Sequence, residues 1–181
     1  MAPIAALAKL AAKEKRLQDE AYQELMAATG AAVPWAYEIW DTIVATLTDK
    51  DNRRRAIAAQ VLSSLAKSDP ERRIRGDFPR LLNVTRDTHY VTARHALQSL
   101  GKVAGVDPEN AAMVAAGLAL RFRECADEKN GTLTRYDITV VLHQIHAAMA
   151  APAIRDLSLQ LIATETDEKY KKKYAAVWRQ K

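Results

Sequence analysis

The chain has 181 residues and a formal net charge of +5, and although 49% of it is apolar only 6% is aromatic, while 34 residues are Ala. A core of that kind must be filled by small side chains on closely spaced elements, which favours helices, because Ala is the best helix former and is depleted in strands. Six Gly, six Pro and 27% charged residues, with no apolar run approaching about 18 residues, exclude collagen-like, disordered and membrane-spanning classes.

The length suits one domain over residues 1–181. The one cysteine, Cys125, has no partner for an internal disulfide and fits a reducing compartment. Met1–Ala12 is rich in Ala but lacks the basic residues that open a signal peptide, so a cytoplasmic location is expected.

Capping residues divide the sequence into helices. Pro3 opens a long first helix expected to run to Gly30 as an N-terminal cap over 1–30, with Ile4, Leu7, Ala11, Leu17, Ala21 and Leu25 as a discontinuous apolar stripe. A second helix opens at Pro34 and carries Trp35, Ile39, Trp40, Ile43, Val44 and Leu47. Asp49 or Asp51 caps a third, which presents Ala58, Val61, Leu62, Leu65 and Ala66 at helical spacing. A short segment, Asp77–Val84, precedes an Asp87-capped helix bearing Ala93, Ala96, Leu97, Leu100 and Val103. Asp107-Pro108-Glu109 then supplies an N-cap, a first-turn Pro and an acid at the positive helix end, starting a helix to about Ala126. The next helix runs from Thr132 or Thr134 to Ala150, with Thr134 and Asp137 at capping-box spacing. Two more span Pro152–Ala163 and about Thr166 to the C-terminus, a terminal pair over 152–181. No segment alternates with period two for long, so the fold class is all-α.

Self-similarity organises these helices. Sliding residues 40–71 by 38 positions onto 78–109 gives eight identities in 32 ungapped positions: Asp49 on Asp87, Ala58 on Ala96, Gln60 on Gln98, Leu62 on Leu100, Ala66 on Ala104, and Asp69-Pro70-Glu71 on Asp107-Pro108-Glu109. Trp40 falls on Phe78, Ile43 on Leu81, Val44 on Leu82 and Leu65 on Val103. A weaker third copy, shifted by about 45, lays Ala96, Leu97 and Leu100 on Val141, Leu142 and Ile145.

A two-helix unit of this length, with an Asp in its turn and Ala and Leu four apart in its second helix, resembles the HEAT repeat. The likeness rests on Leu47-Thr48-Asp49, Arg55-Ala56-Ile57-Ala58 and Leu62, and on Asp87, Ala96 and Leu100, over roughly residues 34–150. The family places an Arg three residues before the Ala; Arg55 stands there, whereas the second copy has Ala93 with Arg94 one residue later. The resemblance implies a right-handed α-α superhelix, a HEAT/armadillo-like solenoid of about four helix pairs (repeats over 34–151) plus the N-terminal helix. Its second helices would line a concave surface, most often used to bind protein and sometimes nucleic acid.

Charge is concentrated. Lys50–Lys102 contains twelve basic and five acidic residues, a local +7 in a chain of +5. Arg53, Arg54, Arg55, Arg72, Arg73 and Arg75, at successive helix ends, are candidate ligands for phosphates or an acidic partner, because a guanidinium offers a planar fork to oxyanions. The alternative for the same side chains is a solvated rim with local ion pairs to Asp49, Asp51 and Glu71. Tyr90, aligned with Asn52, is a candidate stacking residue. His143 and His146 share a helix face, but with no cysteine beside them they read as packed or surface histidines, and Trp35, Tyr37 and Trp40 read as core aromatics. The Lys169–Tyr174 run reads as the solvated face of the last helix. The expectation is a non-catalytic scaffold that binds an acidic protein partner through its concave second-helix surface and Arg-rich edge. The alternative is a DNA- or RNA-binding module that uses the same arginines. No cofactor, metal, small-molecule substrate or membrane attachment is expected.

Overall fold

In a computed structural model that describes residues 2–179, the chain is all-α. The described residues form ten α-helices and no strand: α1 (Ala2–Ala11), α2 (Lys15–Ala28), α3 (Ala36–Thr46), α4 (Asn52–Leu65), α5 (Arg73–Val84), α6 (Tyr90–Ala104), α7 (Pro108–Glu124), α8 (Gly131–Met149), α9 (Pro152–Ala163) and α10 (Glu168–Val177). Single 3-10 turns follow α4 and α7, at Ala66–Ser68 and Cys125–Asp127. Met1, at the head of the expected N-terminal helix, and Gln180 and Lys181, at the end of the expected terminal pair, lie outside the described residues. Two compact units result, one ending at Lys102 and the other beginning at Val103.

In the first unit, the helix expected over 1–30 is two helices. The reason lies in the carbonyls at the end of α1. Gln18 donates its amide to Ala12 O at 3.0 Å, and Arg54 donates to Ala12 O at 2.8 Å and to Ala11 O, so side chains from α2 and α4 satisfy groups that another helical turn would have used. Lys9 then meets Glu20 and Glu24 as α2 folds back along α1. The N-terminal region is therefore a helix pair, like those that follow it.

The second helices begin at Lys15, Asn52 and Tyr90, close to the 38-residue period. Equivalent positions share their burial: Leu62 and Leu100, Ala58 and Ala96, and Ile43 and Leu81 are all fully buried, as is Trp40, and Phe78 nearly so. Each Leu contributes about 1.5–3 kcal/mol through removal from water. Small residues let α4 and α6 approach, and there the Ser63 and Ser99 hydroxyls lie 2.9 Å apart in the buried contact. The turns repeat as well. Asp49 accepts from the Asp51 amide at 2.8 Å, and Asp87 accepts from the His89 amide at 2.9 Å. Asp51 then caps α4 through the amides of Arg53 and Arg54.

The shared Asp-Pro-Glu tripeptide folds in two ways. Asp107 caps α7 directly, through the Asn110 amide at 2.7 Å, with Pro108 in the first position. In the earlier copy Arg72 adopts the left-handed conformation (φ 59°), and α5 starts only at Arg73. There Asp69 reaches the Ile74 amide at 2.7 Å and the Tyr37 hydroxyl at 2.6 Å instead.

In the second unit, α8 starts a turn before the expected capping box. The Thr134 amide already bonds Asn130 O at 2.9 Å, which leaves Thr134 and Asp137 buried inside the helix. Phe122 meets Tyr174 edge to face, 6.1 Å between centroids, and the Tyr174 hydroxyl donates to Thr132 O at 2.8 Å. Arg135 lies over the Phe122 ring and donates to Glu165 at 2.9 Å. Glu165 in turn accepts from the Thr166 and Asp167 amides, which fixes the turn into α10.

Candidate functional site

The arginines that the sequence offers to a partner are engaged at home. Arg53 ion-pairs with Asp19 of α2. Arg54 lies 3.3 Å from Asp49 besides its bonds to the α1 carbonyls. Arg55 donates through Nε and Nη2 to the two carboxylate oxygens of Asp87, at 2.6 and 2.9 Å, and through Nη1 to Asp49 O at 2.7 Å. Arg73 ion-pairs with Asp41 and covers the Tyr37 and Trp40 rings. Arg72 is exposed, while Arg75 and Tyr90, the first residue of α6, are half-buried. Lys67 reaches Gly30 O and Lys102 reaches the Ser64 hydroxyl, each at 2.9 Å.

Two carboxylates record these contacts. Burial alone would raise the Asp87 carboxyl, but the Arg55 fork and the His89 amide override it and hold the group below its ordinary range. Asp51 is also held low against its burial, by the Gln18 amide and the backbone amides of Arg53 and Arg54.

The other candidates are structural. The Trp40 indole donates to Asp77 at 2.9 Å from a fully buried position, and Tyr37 packs on it edge to face. His143 and His146 both lie against Trp178, with ring centroids 4.9 and 5.5 Å away, and His146 Nδ1 is 2.9 Å from Ala151 O. No group of three or more His, Cys, Asp or Glu among the described residues is disposed to hold a metal ion. Cys125 is fully buried, and that burial pushes its thiol up, away from the thiolate a nucleophile needs. In the basic run of α10, Lys173 sits over the Tyr136 ring. No described helix is long and apolar enough to cross a membrane.

An open groove of about 350 Å³ runs across α2, α4 and α6 in the first unit. Asp19 and Tyr22 come from α2, Arg53 and Gln60 from α4, and Val91 and His95 from α6. Val91 is 63% exposed, an aliphatic side chain standing in solvent. The polar walls are partly tied together, since the Tyr22 hydroxyl donates to Gln60 at 3.1 Å and Asn52 lies 3.3 Å from the Thr92 hydroxyl. Of the arginines and Tyr90 singled out in the sequence, only Arg53 lines this groove; Arg55 borders a shallower depression of about 300 Å³ at the helix turns, with Leu47, Asp87 and Thr88. Reading residues 1–30 as one helix hides the α2 contribution. Two signals were available: Tyr22 stands one 38-residue shift before Gln60, and Val91 lies off the Ala93, Ala96, Leu100 stripe.

No family model matches the chain, and no curated protein does. Two crystal structures of engineered proteins from the Northeast Structural Genomics Consortium are similar to it. The first has a TM-score of 0.62 at 18% identity and covers 97% of this chain and 77% of its own. The second has a TM-score of 0.60 at 17% identity, covering 98% of this chain, which spans only 47% of that longer protein. At such identities the likeness concerns the fold alone.

Proposed function

We propose that the chain is a non-catalytic, HEAT-like helical-repeat scaffold, a right-handed α-α superhelix that holds a segment of a partner protein against its second helices. The observation that carries this reading is the groove, because three successive second helices line it and it leaves Val91 exposed among hydrogen-bonding side chains. One helix pair cannot bury its own apolar face, so stacking pairs makes a core and a ridged surface together. The Arg-rich edge enters chiefly through Arg53, which lines the groove, while Arg54, Arg55 and Arg73 hold carboxylates of their own unit outside it. For the same reason a phosphate-binding role for that edge carries less weight. A reducing, cytoplasmic setting suits a protein whose one cysteine is a buried free thiol.

Affinity capture from nuclease-treated native lysate, with the full chain as bait, tests the reading. The expected result is a protein partner that survives nuclease and is lost on Val91→Arg, with melting unchanged. Capture that vanishes with nuclease, or that persists in the folded Val91→Arg variant, overturns it.

A further inference from the structure

We propose that the groove reads a carboxylate, with an acidic side chain on the partner segment taking over Arg53 from Asp19. This rests on the groove being the docking surface and names the chemistry recognised there.

Two arginines two residues apart on α4 make the argument. Arg55 presents the edge formed by Nε and Nη2 to Asp87, and both N–H groups find a carboxylate oxygen. Arg53 has its Nη2 on Asp19, while its Nε is buried without an acceptor. The fork that is filled at Arg55 is therefore half-filled at Arg53. A carboxylate that takes the place of Asp19, with the Arg53 side chain turning to present Nε beside Nη2, gains the hydrogen bond that Asp19 leaves unmade, and bidentate geometry is the stronger one.

Asp19 is also replaceable. The Arg53 and Asp19 side chains are 39% and 58% exposed, and exposed pairs of this kind contribute little to stability. They are the only Lys, Arg, Asp or Glu residues in the groove lining, so displacing Asp19 leaves one guanidinium there, with His95 the other basic side chain. One guanidinium flanked by Val91 and the carboxamides of Gln23 and Asn52 matches one carboxylate beside an aliphatic side chain. A nucleic acid backbone calls for a series of cations instead. The occupant is therefore a protein segment in which an acidic residue neighbours an aliphatic one.

The test uses the full chain and two labelled probe peptides, one alternating Glu and Leu and its twin alternating Gln and Leu, read by fluorescence anisotropy. The Glu peptide should bind about tenfold tighter than the Gln peptide. Asp19→Asn should tighten the Glu peptide several-fold without changing the other, and Arg53→Gln should make the two equal. An Asp19→Asn variant that binds the Glu peptide no better, or an Arg53→Gln variant that keeps the preference, overturns the exchange.

A second measurement does not depend on Arg53→Gln folding. In Asp19→Asn, sodium acetate should shift the Arg53 Nε–H resonance saturably, and sodium chloride at equal ionic strength should not. The absence of an acetate-specific shift overturns the proposal. The two readings fail separately: peptides that bind equally and are both blocked by Val91→Arg retire carboxylate recognition and keep the groove. An acetate shift at Arg53, with capture intact in Val91→Arg, does the reverse.

Discussion

Arg55 and Asp87, 32 residues apart, form a two-pronged ion pair, and the third arm of Arg55 bonds the carbonyl of Asp49, the residue that the 38-residue shift lays on Asp87. One guanidinium thus ties together the equivalent turns of consecutive helix pairs. The Arg55 and Asp87 side chains are 16% and 5% exposed, so removing one partner strands the other in a place water barely reaches.

Asp87→Asn should therefore destabilise the fold by roughly 3 kcal/mol. The effect has a defined pH dependence. Since the folded state holds the Asp87 carboxyl below its ordinary value, its stabilisation is complete above the unfolded value, near pH 4, and fades as pH falls through the folded one. Denaturant midpoints between about pH 2 and 6 should fall on the acid side for the wild type and less steeply for Asp87→Asn. Parallel profiles would show that this carboxylate is not coupled to folding.

Two glycines should respond in opposite directions to the same change. A Cβ on Gly131 would stand 2.0 Å from Cys125 O, a backbone atom that cannot swing aside, whereas one on Gly76 meets nothing within 4 Å. Gly131→Ala should cost about 3 kcal/mol or more through overpacking. Gly76→Ala, at an exposed position inside α5, should gain about 0.5–1 kcal/mol through helix propensity. Thermal melts of the pair check both signs.

What could be read from the sequence follows from the range of the forces involved. Apolar spacing and caps are local, so Asp51, Asp107 and the Leu62 and Leu100 positions could be placed from neighbouring residues alone. The α1–α2 break could not, because it depends on Arg54, more than forty residues away, taking the carbonyls of Ala11 and Ala12. Nor could the Arg55–Asp87 pair, which joins residues 32 apart in consecutive helix pairs. The partners of the basic segment are hidden for a related reason: counting charges along the chain does not show that Asp19 and Asp41 come from other helices to meet Arg53 and Arg73.

The end of α8 carries a conformational cost that can be removed. Ala150 closes the helix in the left-handed region (φ 48°, ψ 44°), with its amide and that of Ala151 turned back to His146 O. A Cβ is disfavoured there by about 1 kcal/mol, and glycine is the usual occupant. Ala150→Gly should raise stability by up to about that amount, less the extra freedom glycine gives the unfolded chain. A lower midpoint would mean that the Ala150 methyl makes a contact worth more than the strain.

Reversing Arg53, Arg54, Arg72 and Arg73 to Glu together is the natural way to ask whether the basic edge binds anything, and the structure changes what that variant should do. Three of the four new carboxylates would face Asp19, Asp49 and Asp41. At Arg54 the change also withdraws the donor from the carbonyls that end α1, a loss of charged hydrogen bonds at a side chain only 15% exposed. The combined cost should be about 3 kcal/mol or more, a drop of roughly 10 °C in melting for a chain of this size. Capture by the quadruple variant is therefore informative only beside its melting curve, whereas Val91→Arg, which adds charge at a 63% exposed position, should leave melting where it was. Unchanged melting in the quadruple variant would return the edge to the candidate binding surfaces, because it would mean that those three ion pairs and the backbone contacts of Arg54 contribute nothing to the fold.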